Sequence, residues 1–112
     1  MQIPENAALL RIYVGEAQRH DHQPLYEAIV LKAREKQLAG ATVLRGPMGF
    51  GHTSTMHTAK ILRLSEDLPF VVEIVDEEAK IMAFVDEISG MIGSGLVTVE
   101  KVRVLLYGKQ GK

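Results

Sequence analysis

Residues 68–107 read LPFVVEIVDEEAKIMAFVDEISGMIGSGLVTVEKVRVLLY, and the change of hydrophobic period inside this stretch decides the fold. Phe70, Val72 and Ile74 alternate with Val71 and Val75, which predicts a strand over Leu68–Val75. Ile81, Phe84, Val85, Ile88 and Ile92 then recur at helical spacing. Asp76 is the expected N-cap of that helix, with Glu77 and Glu78 at the positive end of its dipole. Gly93-Ser94-Gly95 breaks the helix, and Leu96–Tyr107 predicts a final long strand.

Upstream, the same order occurs once more. Ala8–Val14 predicts a strand ended by Gly15, and the polar run Glu16–Gln23 predicts a loop. Pro24 suits the first turn of a helix, where its missing N–H costs nothing. Leu25, Ala28, Ile29 and Ala33 share one face of that helix, Gly40 is its expected stop, and Ala41–Leu44 predicts the second strand. Between strands two and three runs a long glycine-rich excursion, residues 46–67, with a short strand expected over Ala59–Leu64. The order β-α-β-β-α-β is the split pattern of an α+β ferredoxin-like fold, an antiparallel sheet with two helices on one face. The whole chain, 1–112, is then one domain, with a frayed tail at 108–112.

Two helices cover only one face of a four-stranded sheet. Yet Val71 and Val75 are as apolar as Phe70 and Val72, and Val97, Val99 and Leu105 match Val102, Val104 and Leu106. A sheet face left in water normally carries polar residues at alternate positions. The second face is therefore expected to be buried against other copies of the chain.

Composition narrows the function. Hydrophobic residues are 46% and charged residues 24%, an ordinary globular balance. A formal charge of −1 gives no electrostatic case for nucleic acid or an anionic membrane. There is no cysteine, which excludes disulfides, thiolate metal sites and cysteine nucleophiles. Met1–Glu5 has neither a basic region nor an apolar stretch, and no apolar run is long enough to insert in a bilayer, so a cytoplasmic location is expected.

No catalytic constellation emerges, and no enzyme is expected. Thr53, Ser54 and Thr55 lie near His52 and His57 without an acidic orienter, so turn hydrogen bonds account for the hydroxyls. Asp86 and Glu87 fall on the polar side of a helix. His20-Asp21-His22 is the one stretch that suggests zinc or copper, but two histidines in a loop without a scaffold are more simply solvated. Gly46, Gly49 and Gly51, with Gly93 and Gly95, are able to expose backbone N–H groups to a phosphate, or else serve turns alone. Arg45 is the best bidentate phosphate partner nearby.

Gly40-Ala41-Thr42-Val43 followed by Gly49-Phe50-Gly51 resembles the segment entering the mobile T-loop of the PII-like (GlnB-like) signalling proteins. Leu68-Pro69 with Glu73-Ile74-Val75 resembles the strand that leaves that loop, and Ile92-Gly93-Ser94-Gly95 resembles the I-G-D-G turn of the PII B-loop. Leu25-Tyr26-Glu27-Ala28, Gly40–Gly46 and Ser65–Pro69 resemble the branch called domain of unknown function 190. The resemblance implies a homotrimer with ligand sites between subunits, adenine nucleotides as ligands, and a loop that docks on a partner such as a membrane transporter or channel. No cofactor is required. The residues expected at the site are Thr42, Arg45, Gly46, Gly49, Phe50, Gly51, His52, Gly93, Ser94 and Gly95.

Three departures bear on the ligand. Leu96 and Phe70 stand where PII proteins carry lysines, and Leu105-Leu106-Tyr107 supplies no match for the arginines near the end of the last strand. Each lost charge-assisted contact costs roughly 1.5–3 kcal/mol, so AMP or ADP is expected in preference to ATP. The alternative reading is a metal-binding trimer like the divalent-cation tolerance protein CutA, which has the same architecture.

Overall fold

The structure is a computed structural model that describes residues 6–50, 57–58 and 68–108. Its elements in chain order are β1 (Ala7–Gly15), β2 (Arg19–His20), β3 (Gln23–Pro24), α1 (Leu25–Glu35), β4 (Thr42–Arg45), β5 (Met48–Gly49), β6 (His57–Thr58), β7 (Pro69–Glu77), α2 (Glu78–Ile92) and β8 (Leu96–Val102). The main sheet has the order β4-β7-β1-β8, with every neighbouring pair antiparallel. Two small ribbons, β2–β3 and β5–β6, project from it. This is the expected ferredoxin-like α+β arrangement.

The register assigns each residue to a face. Leu10, Ile12 and Val14 of β1 and Phe70, Val72 and Ile74 of β7 are buried together with Leu25, Ile29 and Ala33 of α1 and Ile81, Phe84, Ile88 and Ile92 of α2. Phe70 also stacks at a tilt on Tyr26, ring centroids 4.4 Å apart. The opposite face carries Leu9, Arg11 and Tyr13, each across from Val75, Glu73 and Val71 in turn. Its centre is charged, which corrects the expectation of an apolar face. Arg11 donates from Nε to Glu73 at 3.0 Å and from a terminal nitrogen to Glu100 at 3.0 Å. Leu9, Tyr13, Val71, Val75 and Leu96 surround that cluster, half-buried or exposed.

Several boundaries differ from expectation for physical reasons. Asp76 is not the N-cap of α2. The cap residue is Glu77, which makes no side-chain cap bond, while β7 keeps its period-two burial through Asp76. Pro24 caps α1 rather than opening its first turn, and the expected loop 16–23 folds into the β2–β3 ribbon. That ribbon turns through Asp21 and His22, both at positive φ. Gly40 does not stop α1. Gln37 does, in the left-handed conformation at φ 61°, with Leu38 N–H donating to Ala33 C=O and Gln37 N–H to Arg34 C=O. These two bonds form a Schellman closure without glycine. The last strand stops at Val102 because its partner β1 begins at Ala7, the residue opposite Val102. The strand expected over Ala59–Leu64 and residues 109–112 of the expected frayed tail lie outside the described residues.

Candidate ligand-binding site

Beyond Val102 the chain crosses toward the β4 edge. There Val104, Leu106 and Tyr107 line a cleft of about 310 Å³ with Ala39, Gly40, Ala41, Thr42, Glu73 and Val75. Two hydrogen bonds build its floor. The Ala39 N–H donates to Asp76 Oδ2 at 2.8 Å, and the Tyr107 hydroxyl donates to the Ala39 carbonyl at 2.8 Å. Asp76 is 1% exposed, and its other oxygen accepts the Glu77 N–H at 2.6 Å. Ala39 is thus held through both its N–H and its carbonyl.

The cleft combines apolar walls with two polar groups. Val75, Val104 and Leu106 supply the walls, while Thr42 offers a hydroxyl that donates or accepts. Glu73 offers a carboxylate whose Oε2 is already bonded to Arg11. That bond is the main reason the Arg11 guanidinium sits above its ordinary pKa. Among the described residues, neither lysine nor arginine lines the cleft. The arrangement suits a neutral or weakly charged ring with polar edges better than a polyanion.

The residues singled out from sequence are dispersed by the fold. Thr42 reaches the cleft. Arg45 pairs with Glu16, 3.6 Å away. Gly46 and Gly49 pack on Pro69, since a Cβ would stand 2.9 and 3.1 Å from its Cγ. Close packing on Pro69 thus gives both positions a reason to be glycine. Phe50 is 66% exposed, and Gly51 and His52 lie outside the described residues. Gly93 ends α2 at φ 68°, Ser94 is exposed, and Gly95 abuts Ile92 and the Tyr13 carbonyl. The Gly93–Gly95 turn opens β8, whereas Thr42 and Arg45 lie on β4. These are opposite edges of the sheet, three strand spacings or about 14 Å apart. One chain does not bring the two groups together.

Glu73, Val75, Asp76 and Tyr107 were not anticipated as site residues. Arg11 and Glu73 did carry a signal: each interrupts an apolar strand with a charge, and the charges are opposite. A second cleft, about 500 Å³, runs between α1 and α2 and is lined by His20 and Asp21 at one end and Glu35 and Glu87 at the other. His20 Nε2 lies 3.4 Å from Asp21 Oδ2. Among the described residues, no group of three or more His, Asp or Glu is placed to hold a metal. No helix among them is long and apolar enough to cross a membrane.

Comparison with known proteins agrees with the topology. CPII, a nitrogen regulatory PII-like protein from Thiomonas intermedia K12 solved with ADP, AMP and bicarbonate, superposes with a TM-score of 0.67 at 15% identity, covering 92% of each chain. The divalent ion tolerance protein CutA1 from Ehrlichia chaffeensis superposes at 0.60 with 9% identity, covering 93% of this chain and 86% of its own. At these identities the likeness concerns the fold, which is that of the PII-like and CutA proteins. A UPF0166 protein of Aquifex aeolicus (strain VF5) is 42% identical over 97 residues, 87% of this chain and 91% of its own length. A second UPF0166 protein from the same strain is 32% identical over 96 residues, 86% and 94% of the two lengths. The DUF190 family model, described as Uncharacterized ACR, matches residues 7–104, and this chain belongs to that family.

Proposed function

We propose that this chain is a PII-like regulator that binds an adenine nucleotide of few phosphates, AMP or ADP more tightly than ATP, at the cleft beside β4. The carrying observation is the cleft's lining among the described residues: apolar walls, the Thr42 hydroxyl and the Glu73 carboxylate, with no lysine or arginine. A purine offers a flat apolar face and an amino group, which such a lining is able to hold. A triphosphate requires cations that the described lining lacks.

The other half of the site comes from a second copy. The Gly93–Gly95 turn lies on the edge opposite Thr42, so it reaches a cleft only when β8 of one copy approaches β4 of another. Association in this manner also covers Leu9, Tyr13, Val71, Val75 and Leu96 on the helix-free face. A homotrimer is the assembly implied by the resemblance. The excursion 46–67 starts directly after Arg45, at the end of β4, so occupancy of the cleft is coupled to the root of that loop. The loop then binds or releases a partner, a transporter or channel by resemblance. This reading involves no catalytic step.

Calorimetry with AMP, ADP and ATP tests the reading. Binding of AMP and ADP is expected, with ATP weaker, and Glu73→Gln and Thr42→Val each lowering the affinity. Absence of heat and of any thermal shift at millimolar nucleotide would overturn it.

A further inference from the structure

We propose that Arg11 is a positioning residue for the cleft, holding the Glu73 carboxylate ready for a ligand's donor and linking it to the opposite edge of the sheet. The strand register sets this up. On the helix-free face Thr42 of β4 stands across from Glu73 of β7, Glu73 across from Arg11 of β1, and Arg11 across from Thr98 of β8. One polar row therefore crosses all four strands. The row beside it is apolar throughout, made of Leu44, Val71, Tyr13 and Leu96. Thr42 and Glu73, the first two members of the polar row, line the cleft.

A glutamate side chain that nothing holds samples several rotamers and loses that freedom when a ligand binds. Glu73 is already held. Its Oε2 accepts from Arg11 Nε at 3.0 Å, while a terminal nitrogen of the same guanidinium donates to Glu100 Oε1 at 3.0 Å. The guanidinium is a planar, rigid fork, so two carboxylates fix its plane and the plane in turn fixes Glu73. With Oε2 committed to Arg11, a donor entering the cleft is met by Oε1. A carboxylate accepts and does not donate, so this point of the cleft favours a ligand N–H or O–H over a carbonyl. A ligand that draws on Glu73 also loosens its hold on Arg11, and the change reaches Glu100 on β8. The positioning follows from hydrogen bonds within one chain. Its use by a nucleotide rests on the function proposed above.

Two measurements test the proposal. The first is exchange of the Arg11 Nε–H with solvent, followed by NMR and assigned by the loss of its signal in Arg11→Lys. Slower exchange is expected at Arg11 than at the exposed Arg34, with the protection reduced in Glu73→Gln and in Glu100→Gln. Exchange as fast as that of Arg34, or unaltered by both substitutions, overturns the positioning. The second is calorimetry with AMP. Arg11→Lys keeps the charge and removes the fork, and AMP is expected to bind roughly 2- to 10-fold more weakly, the range of one hydrogen bond. In a Glu73→Gln background the same substitution is expected to change the affinity no further, since there is no carboxylate left to position. Equal losses in both backgrounds mean that Arg11 acts on the fold at large and overturn the proposal. A wild type that ignores AMP, ADP and ATP removes the nucleotide reading, and the exchange measurement then decides the positioning by itself.

Discussion

The Asp76 carboxylate accepts the backbone N–H of Ala39 at 2.8 Å, a bond between residues 37 apart in sequence. It ties the end of β7 to the connection from α1 to β4 and so sets the floor of the cleft. Asp76→Ala leaves the N–H groups of Ala39 and Glu77 without their acceptor, in a position that is 1% exposed. The expected loss is about 1–3 kcal/mol, read from the urea midpoint at constant m-value. A loss below about 0.5 kcal/mol, the scatter of ordinary surface substitutions, would mean that the tie carries no weight.

Arg11 bridges Glu73 and Glu100 at the centre of the helix-free face. When copies cover that face, the trio leaves water together, and removing its one cation strands two carboxylates there. Sedimentation is expected to show an assembled wild type and a dissociated Arg11→Met. Replacing all three residues by methionine restores assembly, because no uncompensated charge remains. An Arg11→Met protein that assembles as well as wild type would place the interface elsewhere.

The sheet and helices were legible because burial imposes its own period. Alternation over Phe70–Val75 and the Ile81–Ile92 spacing name β7 and α2 without reference to any other part of the chain. What was not legible depended on partners distant in sequence. Nothing local says that β8 must stop at Val102, since that limit is set by where β1 begins. Nor does anything local say that Gly46 and Gly49 pack on Pro69, about twenty residues further along the chain. Asp76 looked like a cap because caps are local, yet its acceptor oxygen serves Ala39. Tyr107 gave no sign of being anything but the end of a strand.

Two glycines of the α2 region are expected to respond oppositely to alanine. A Cβ on Gly90 meets nothing within 4 Å, and the residue lies inside α2. Gly90→Ala is expected to stabilise by about 0.5–1 kcal/mol through helix propensity. A Cβ on Gly95 would stand 2.6 Å from Ile92 Cγ2 and 2.8 Å from the Tyr13 carbonyl oxygen. Gly95→Ala is expected to destabilise by about 1–3 kcal/mol, the usual effect of overpacking. Urea titrations of the two variants check the pair, and equal signs would contradict the packing described for the turn.

Leu96 and Phe70 both stand where a PII protein would carry a lysine, but only one of them is free to become one. Phe70 is 6% exposed and stacks on Tyr26, so a charge there would break the core. Leu96 is 57% exposed and follows Gly95 directly. If the Gly93–Gly95 turn of one copy faces the phosphates bound beside β4 of the next, Leu96→Lys adds a charge-assisted contact that the longer phosphate chain feels most. One such contact amounts to about 1.5–3 kcal/mol, so ATP affinity is expected to rise roughly ten- to hundredfold while AMP affinity changes little. Calorimetric ratios of ATP to AMP affinity in the two proteins check this. An unchanged ratio would show that the turn does not face the phosphates, and the two edges of the sheet would then not share a ligand.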